Sequence, residues 1–179
     1  MRALVTLLIV IAAAPLWADD PWRDHPGYVE LNRFVELAGG EEALTLEVNI
    51  TGALLAIFAK SDTDLGRLVR DVKGVRAVAV ELEPGERGKR VRDFVLRTER
   101  DLQDDGWSRL ATVREECEQV SVLTRDEGER VAGVTVLVVD SCQGEAIATN
   151  IAGFIDLELL IQFGSEHFPG LDRLEGFEP

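Results

Sequence analysis

The chain has few of the residues on which catalytic and metal chemistry usually depends. It has two cysteines, Cys117 and Cys142, and two histidines, His25 and His167. A zinc site of paired Cys and His ligands needs four donors at short spacings, and no such pairing occurs. Nor is there a G-x-S-x-G elbow, a Walker loop, a dinucleotide fingerprint, an H-E-x-x-H helix or a calcium loop. Basic residues are scarce as well, 19 against 33 acids for a net charge of −14. Such a surface repels nucleic acid and anionic lipid and favours solubility. No internal repeat, low-complexity tract or long linker is present. The sequence nominates no catalytic residue, metal ligand or cofactor.

Long apolar runs are also absent beyond the first 20 residues. There, "MRALVTLLIVIAAAPLWADD" places one positive charge, Arg2, before an apolar run that ends at Ala14. Pro15, the small residue Ala18 and two acids follow. This is the pattern of a secretory leader with cleavage expected after Ala18. The run is shorter than the roughly 20 residues needed to span a bilayer. The alternative is a leader retained as an anchor; cleavage leaves no membrane span. Because the leader carries only Arg2, the mature charge becomes −15, from 18 basic and 33 acidic residues. The expected organisation is a signal peptide over 1–18, one domain over 19–164 and a loose tail over 165–179. The expected location is periplasmic or secreted.

Hydrophobic spacing gives the fold class. "HPGYVELNRFVELAGG" has helical spacing from Tyr28 to Ala38, between Pro26 and Gly39-Gly40. "ALTLEVNITG" alternates, with Leu44, Leu46, Val48 and Ile50 on one side, as in a half-buried strand. "ALLAIFAK" reads as a short helix. "DTDLGRLVRDV" reads as another after an Asp cap, with Leu65, Leu68, Val69 and Val72 on its stripe. "GVRAVAVELEP" is a second strand, and "RGKRVRDFVLRTERDLQDDG" is the clearest helix, with Val91, Phe94, Val95, Thr98 and Leu102 inward. Strands follow at 108–115, 119–125, 130–140 and 145–153, joined by "ECE", "DEGE" and "SCQG". A final helix, "DLELLIQF", starts at an Asp156 cap and ends at Gly164. The expected fold is α+β: a mixed, mainly antiparallel sheet with helices packed on one face as a two-layer sandwich, closed by a four-strand C-terminal meander. The first two strands, joined through helices, can lie parallel.

In such a meander the turns at Cys117 and Cys142 fall at the same end of the sheet. Symmetry about "DEGE" pairs position 117 with about 138, so Cys142 overshoots by about four residues, about 13 Å along a strand. The "SCQG" loop must fold back to bring the thiols within bridging range. Cys117 and Cys142 are therefore a candidate disulfide, as two cysteines in an exported chain favour; two separate thiols are the alternative. A nucleophilic role fits poorly, because Glu115, Glu116 and Glu118 disfavour a thiolate at Cys117. "SEH" at 165–167 and the acids around His25 are read as accidents of composition. The "NIT" at Asn49 lies inside an expected strand and is discounted as a glycan acceptor.

The strand "VAGVTVLVVD" is apolar on both faces, as for a strand covered on both sides. Val134, Val136, Val138, Ala146 and Ala148 form a candidate partner surface unless the first or last helix covers them. The functional expectation is an exported, non-catalytic module that binds an envelope protein or forms a homodimer. The alternatives are a small-ligand carrier and a carboxylate-dependent hydrolase.

Five stretches in order, "HPGYVEL", "LEVNITGALL", "GVRAVAVELE", "DGWSRLATVRE" and "VAGVTVLVVD" with "ATNIAGFIDLELL", resemble the domain of unknown function 4252 family of exported bacterial proteins. The resemblance implies an envelope location and one domain. It carries no established activity, so no catalytic residue transfers. Some members have a lipidated cysteine that this chain lacks, and Phe154 stands where a more polar residue is expected.

Overall fold

The computed structural model of the chain describes residues 22–82, 86–128, 130–156, 158–159 and 162. The expected leader and tail, and with it the "SEH" triplet, lie outside these residues. Helix α1 (Asn32–Ala38) and a 3-10 turn (Gly40–Ala43) lead into strand β1 (Leu44–Thr51). Two short helices, α2 (Gly52–Ala59) and α3 (Asp64–Leu68), precede β2 (Val72–Glu81). The long helix α4 (Glu86–Asp104) then feeds β3 (Trp107–Arg114), β4 (Glu118–Glu127), β5 (Arg130–Asp140) and β6 (Glu145–Ile155). The strand order is β1-β2-β6-β5-β4-β3. Every pair is antiparallel, so the early strands do not pair in parallel. The α+β class and the C-terminal meander match expectation. The last strand of the meander also inserts beside β2 and so joins the two halves of the chain.

Alternation along these strands divides the sheet into two apolar faces. On the first face, Val78, Val80, Leu137, Val139, Ala146, Ala148 and Leu123 pack beneath Phe34, Val35 and Ala38 of α1 and Val91, Val95 and Leu102 of α4. Phe34 is fully buried. On the second face, Val134 packs with Leu55 of α2, Leu68 of α3 and Ile155, bordered by the half-buried Ile50, Val75, Val122, Val136 and Ile151. Helices therefore flank both faces, not one. The run "ALLAIFAK" is apolar all round, so its spacing could not indicate which face it would cover. Leu159 also joins the second-face cluster. Its N–H donates to Asp156 Oδ1 at 3.1 Å, the expected cap of the last helix. At α3 the cap is Thr63, whose Oγ1 accepts from the Gly66 N–H at 3.1 Å, and Val72 belongs to β2 rather than to the helical stripe.

The first helix begins at Asn32, six residues later than Pro26 suggests. The residues before it lie across the sheet because their backbone groups bond to a strand side chain. Asn150, fully buried on β6, accepts from the Val29 N–H (3.1 Å) and donates to the Gly27 carbonyl (2.9 Å) and Thr135 Oγ1 (3.0 Å). Gly27 lies flat on Gly133: a Cβ on either residue would meet backbone atoms of the crossing segment at 2.7 Å or less. Trp22 occupies the space above Gly74 in the same way. Arg76, opposite Asn150 in the β2–β6 register, is also buried. It donates to Asn32 Oδ1 (2.6 Å) and Glu47 Oε1 (3.2 Å) and lies 3.8 Å from Glu30 Oε1, so the charge is compensated.

Asn150→Ala removes the partners of a buried N–H and a buried carbonyl at one stroke. Each such group costs roughly 1–3 kcal/mol. The expected outcome is a loss of about 3 kcal/mol in urea unfolding, together with faster hydrogen exchange from residues 22–31.

Candidate functional site

Four places combine reactive or exposed groups: the thiol corner, the surroundings of Glu99, the surroundings of His25, and the second face with its helices. At the corner the two cysteines form a disulfide with Cα atoms 5.4 Å apart. The expected four-residue overshoot shrinks to one for two reasons. The β4–β5 turn is centred one place later than "DEGE", with Glu127 opposite Arg130, and a bulge between Arg125 and Asp126 adds another offset. Glu118 thus faces Asp140, and Cys142 is one step beyond Cys117's own partner position. The loop folds back because Asp140 Oδ1 accepts from the N–H groups of Cys142 (2.9 Å) and Gln143 (2.8 Å). The Ser141 N–H donates to the Cys117 carbonyl at 2.8 Å.

The buried acid Glu99 reaches from α4 onto the β3–β4 pair, and only 3% of its side chain is exposed. Oε1 is ion-paired to Arg109 Nη2 at 2.6 Å, and Oε2 accepts from Ser121 Oγ at 3.1 Å. Its charge is thus answered within the fold. His25 lies elsewhere, edge-on to Phe154 of β6 at 5.8 Å between ring centroids. Its Nδ1 accepts from the Gly27 N–H at 3.2 Å, so the neutral tautomer with an unprotonated Nδ1 is the one that fits. Burial is the main influence on the ring and holds its pKa below the ordinary 6.5; Glu127 opposes this and Lys73 reinforces it. Among the described residues no group of three or more His, Cys, Asp or Glu is arranged to hold a metal. No described helix is long and apolar enough to cross a membrane.

The five residues expected to form one surface do not share a face. Val136 and Val138 are half-buried on the second face, and Val134 is buried there within the cluster that includes Leu55 and Leu68. Ala146 and Ala148 are fully buried on the first face, within the core that includes α1 and α4. The register explains the correction. Leu137 faces Ala148 and Val139 faces Ala146, so the alanines share the parity of Leu137 and Val139; Val138 is matched by Ile147.

The second face also carries exposed residues that the sequence reading did not single out. Ile57 and Phe58 on α2 are 65% and 39% exposed, and Leu46 on β1 is 52% exposed. Alternation puts Leu46 on the side of Ile50, the side on which Leu55 of α2 is buried. The available signal was the lack of any polar stripe in "GALLAIFA": a helix lying on a sheet can bury only one side, so its other side had to remain apolar and exposed.

A family model described as domain of unknown function (DUF4252) matches residues 40–163. No curated protein matches the chain. Among solved structures, a similarity is found to the extracellular domain of PknH from Mycobacterium tuberculosis. It has 8% identity and a TM-score of 0.25, and covers 81% of this chain and 92% of that one. At that score the likeness carries no argument.

Two outcomes test the corner and the histidine. Chain-entropy bookkeeping for a sequence separation of 25 residues gives the disulfide about 3–4 kcal/mol of stability. Cys117→Ser with Cys142→Ser is expected to lower the stability in urea unfolding accordingly and to steepen the slope, because the unfolded chain loses its cross-link and exposes more surface. For His25, a folded-state pKa below the unfolded one means that the unfolded chain binds the proton more readily. Its contribution is therefore complete above about pH 6.5 and is lost as the pH falls toward the depressed folded value. In melts from pH 7.5 to 5.5 the wild type should lose more stability than His25→Gln.

Proposed function

We propose, from the premise that the chain belongs to the DUF4252 family, that it is an exported, non-catalytic module that binds a protein partner in the bacterial envelope. The observation that carries this reading is the exposure of three large apolar side chains, Ile57 and Phe58 on α2 and Leu46 on β1, on the side of the sheet where Val136 and Val138 are half-buried. Exposed apolar patches of this kind on folded proteins mark interaction sites. Two further features support export: the leader-like N-terminus, and a disulfide of the kind that persists in oxidising compartments. The carrier and hydrolase alternatives have no comparable support. The buried carboxylate Glu99 is ion-paired and hydrogen-bonded inside the fold, and His25 packs at the other end of the sheet, against Phe154.

The test compares the tagged wild type with an Ile57→Asp, Phe58→Asp variant, both expressed with their leader and cross-linked in intact envelopes. Both positions are solvent-exposed, so the variant should keep the wild-type circular dichroism. It should lose about tenfold of the specific cross-linked product, the effect of removing roughly 1.4 kcal/mol of contact energy. Equal capture by both proteins would overturn the reading.

A further inference from the structure

The second face stays apolar beyond the reach of its own helix cluster. The register carries one row across all six strands without a break: Leu46, Ala79, Ile147, Val138, Val120 and Val113. Among the described residues none of the six belongs to the cluster with Leu55 and Leu68 or to the first-face core. Leu46 and Val113, at the two ends of the row, are exposed. Ala79, a small residue between Leu46 and Ile147, is the one of the six that is buried. The next row toward the disulfide end is acidic: Glu81, Glu145, Asp140 and Glu118. The outward side of α2 has the chemistry to fill the bare row. Leu55 is buried against the sheet, and Ile57, two residues on, is turned about 200° from it. Ala53 and Ala56 are exposed on the same side as Ile57. The helix therefore has one apolar side on its own sheet and a second that faces away from it. Over residues 52–70, which include α2 and α3, the cations Lys60, Arg67 and Arg70 outnumber the acids Asp62 and Asp64.

We infer that the partner is a second copy of this chain, packed second face to second face about a twofold axis that runs across the strands, so that α2 of each copy lies on the bare row of the other. The inference rests on the partner-binding reading and names the partner. A twofold interface must be self-complementary, with the same patch used on both copies. This face meets that condition, because it holds both an apolar helix side and an apolar row of matching chemistry. α2 packs over β1 and β2, and an axis across the strands keeps that lateral position. Ile57 and Phe58 of one copy then rest on Leu46, Ala79 and Ile147 of the other, and the contact is made twice. The three exposed apolar side chains of this side are covered together. Charge selects the direction of the axis. An axis along the strands would set helices against helices and bring both acidic rows to the same end, where like charges oppose association. With the axis across the strands the acidic rows lie at opposite ends. Each then meets the α2–α3 segment of the other copy, where cations are in excess.

With Cys117 and Cys142 bonded to each other, a single cysteine variant carries one free thiol. Purified Ile57→Cys is mixed with tagged Leu46→Cys, and separately with tagged Val113→Cys, and each mixture is treated with a short bifunctional maleimide. Leu46 and Val113 are the exposed ends of one row, about 24 Å apart across five strand spacings. The mixture with Leu46→Cys is expected to give the mixed dimer as its main product, and the mixture with Val113→Cys far less. Light scattering of the wild type should give twice the chain mass. The Ile57→Asp, Phe58→Asp variant should give the monomer mass with unchanged circular dichroism. A monomeric wild type, or equal product in the two mixtures, sinks the inference. Mass spectrometry of the product cross-linked in envelopes separates the two claims. A product that depends on Ile57 and Phe58 but contains a different protein removes the second copy and leaves the partner-binding reading standing. A dimer joined between positions 46 and 57, with capture of envelope protein indifferent to Ile57 and Phe58, keeps the second copy and removes that reading.

Discussion

The pairing of β6 with its two neighbours is the constraint on which the rest of the structure depends. β6 bonds to β5, the strand just before it, and to β2, more than sixty positions earlier in the chain. Without the second contact the molecule would be a helical N-terminal half with a two-stranded ribbon, beside a separate meander. With it, Asn150 comes to lie between Arg76 and Thr135, and one amide side chain can hold the Val29 and Gly27 backbone against the sheet. The N-terminal segment, the α1–α4 layer and the first-face core are thus assembled around a strand that is made late in the chain. Such closure brings its loop entropy with it, and the apolar burial on the first face offsets that cost.

The two faces of the sheet have unequal covers, and the inequality separates structure from function. The first face is covered by two helices and the N-terminal segment, and its two buried charges are compensated internally: Arg76 by Asn32 and Glu47, Glu99 by Arg109 and Ser121. The second face receives two short helices, one of them apolar on every side. A helix with no polar stripe cannot finish its own burial on a flat sheet, so the exposure of Ile57 and Phe58 follows from composition once the helix is placed. The thiol corner lies at the far end of the β4–β5 hairpin, where the bridge and the Asp140 turn hold the hairpin and the next loop together; it takes no part in this surface.

Much of the architecture was legible because it is local. Alternation marked β1, glycine and proline punctuation marked β2, the 3.6-residue spacing of Val91, Val95 and Leu102 marked α4, and the spacing of turns marked the meander and its disulfide corner. The misses came from long-range contacts. Helical spacing in Tyr28 and Leu31 could not reveal that Asn150 claims the backbone on either side of Tyr28. The apolar character of Ala146 and Ala148 could not reveal that they oppose Val139 and Leu137, and so face the sealed core. A one-residue bulge beside Arg125 was invisible too, yet it helped to bring Cys142 within reach of Cys117.

The sequence by itself determined which residues alternate, where the chain turns, how acidic the chain is, and that cysteine and histidine are scarce, because these properties depend on composition and on neighbours along the chain. Only the tertiary structure decided which alternating set faces which helix, how β6 enters between β2 and β5, and that β1 is left at an edge. The physical reason is that a strand's period of two fixes its own faces and says nothing of their parity relative to another strand. That parity is set by register, which bulges and long-range hydrogen bonds choose.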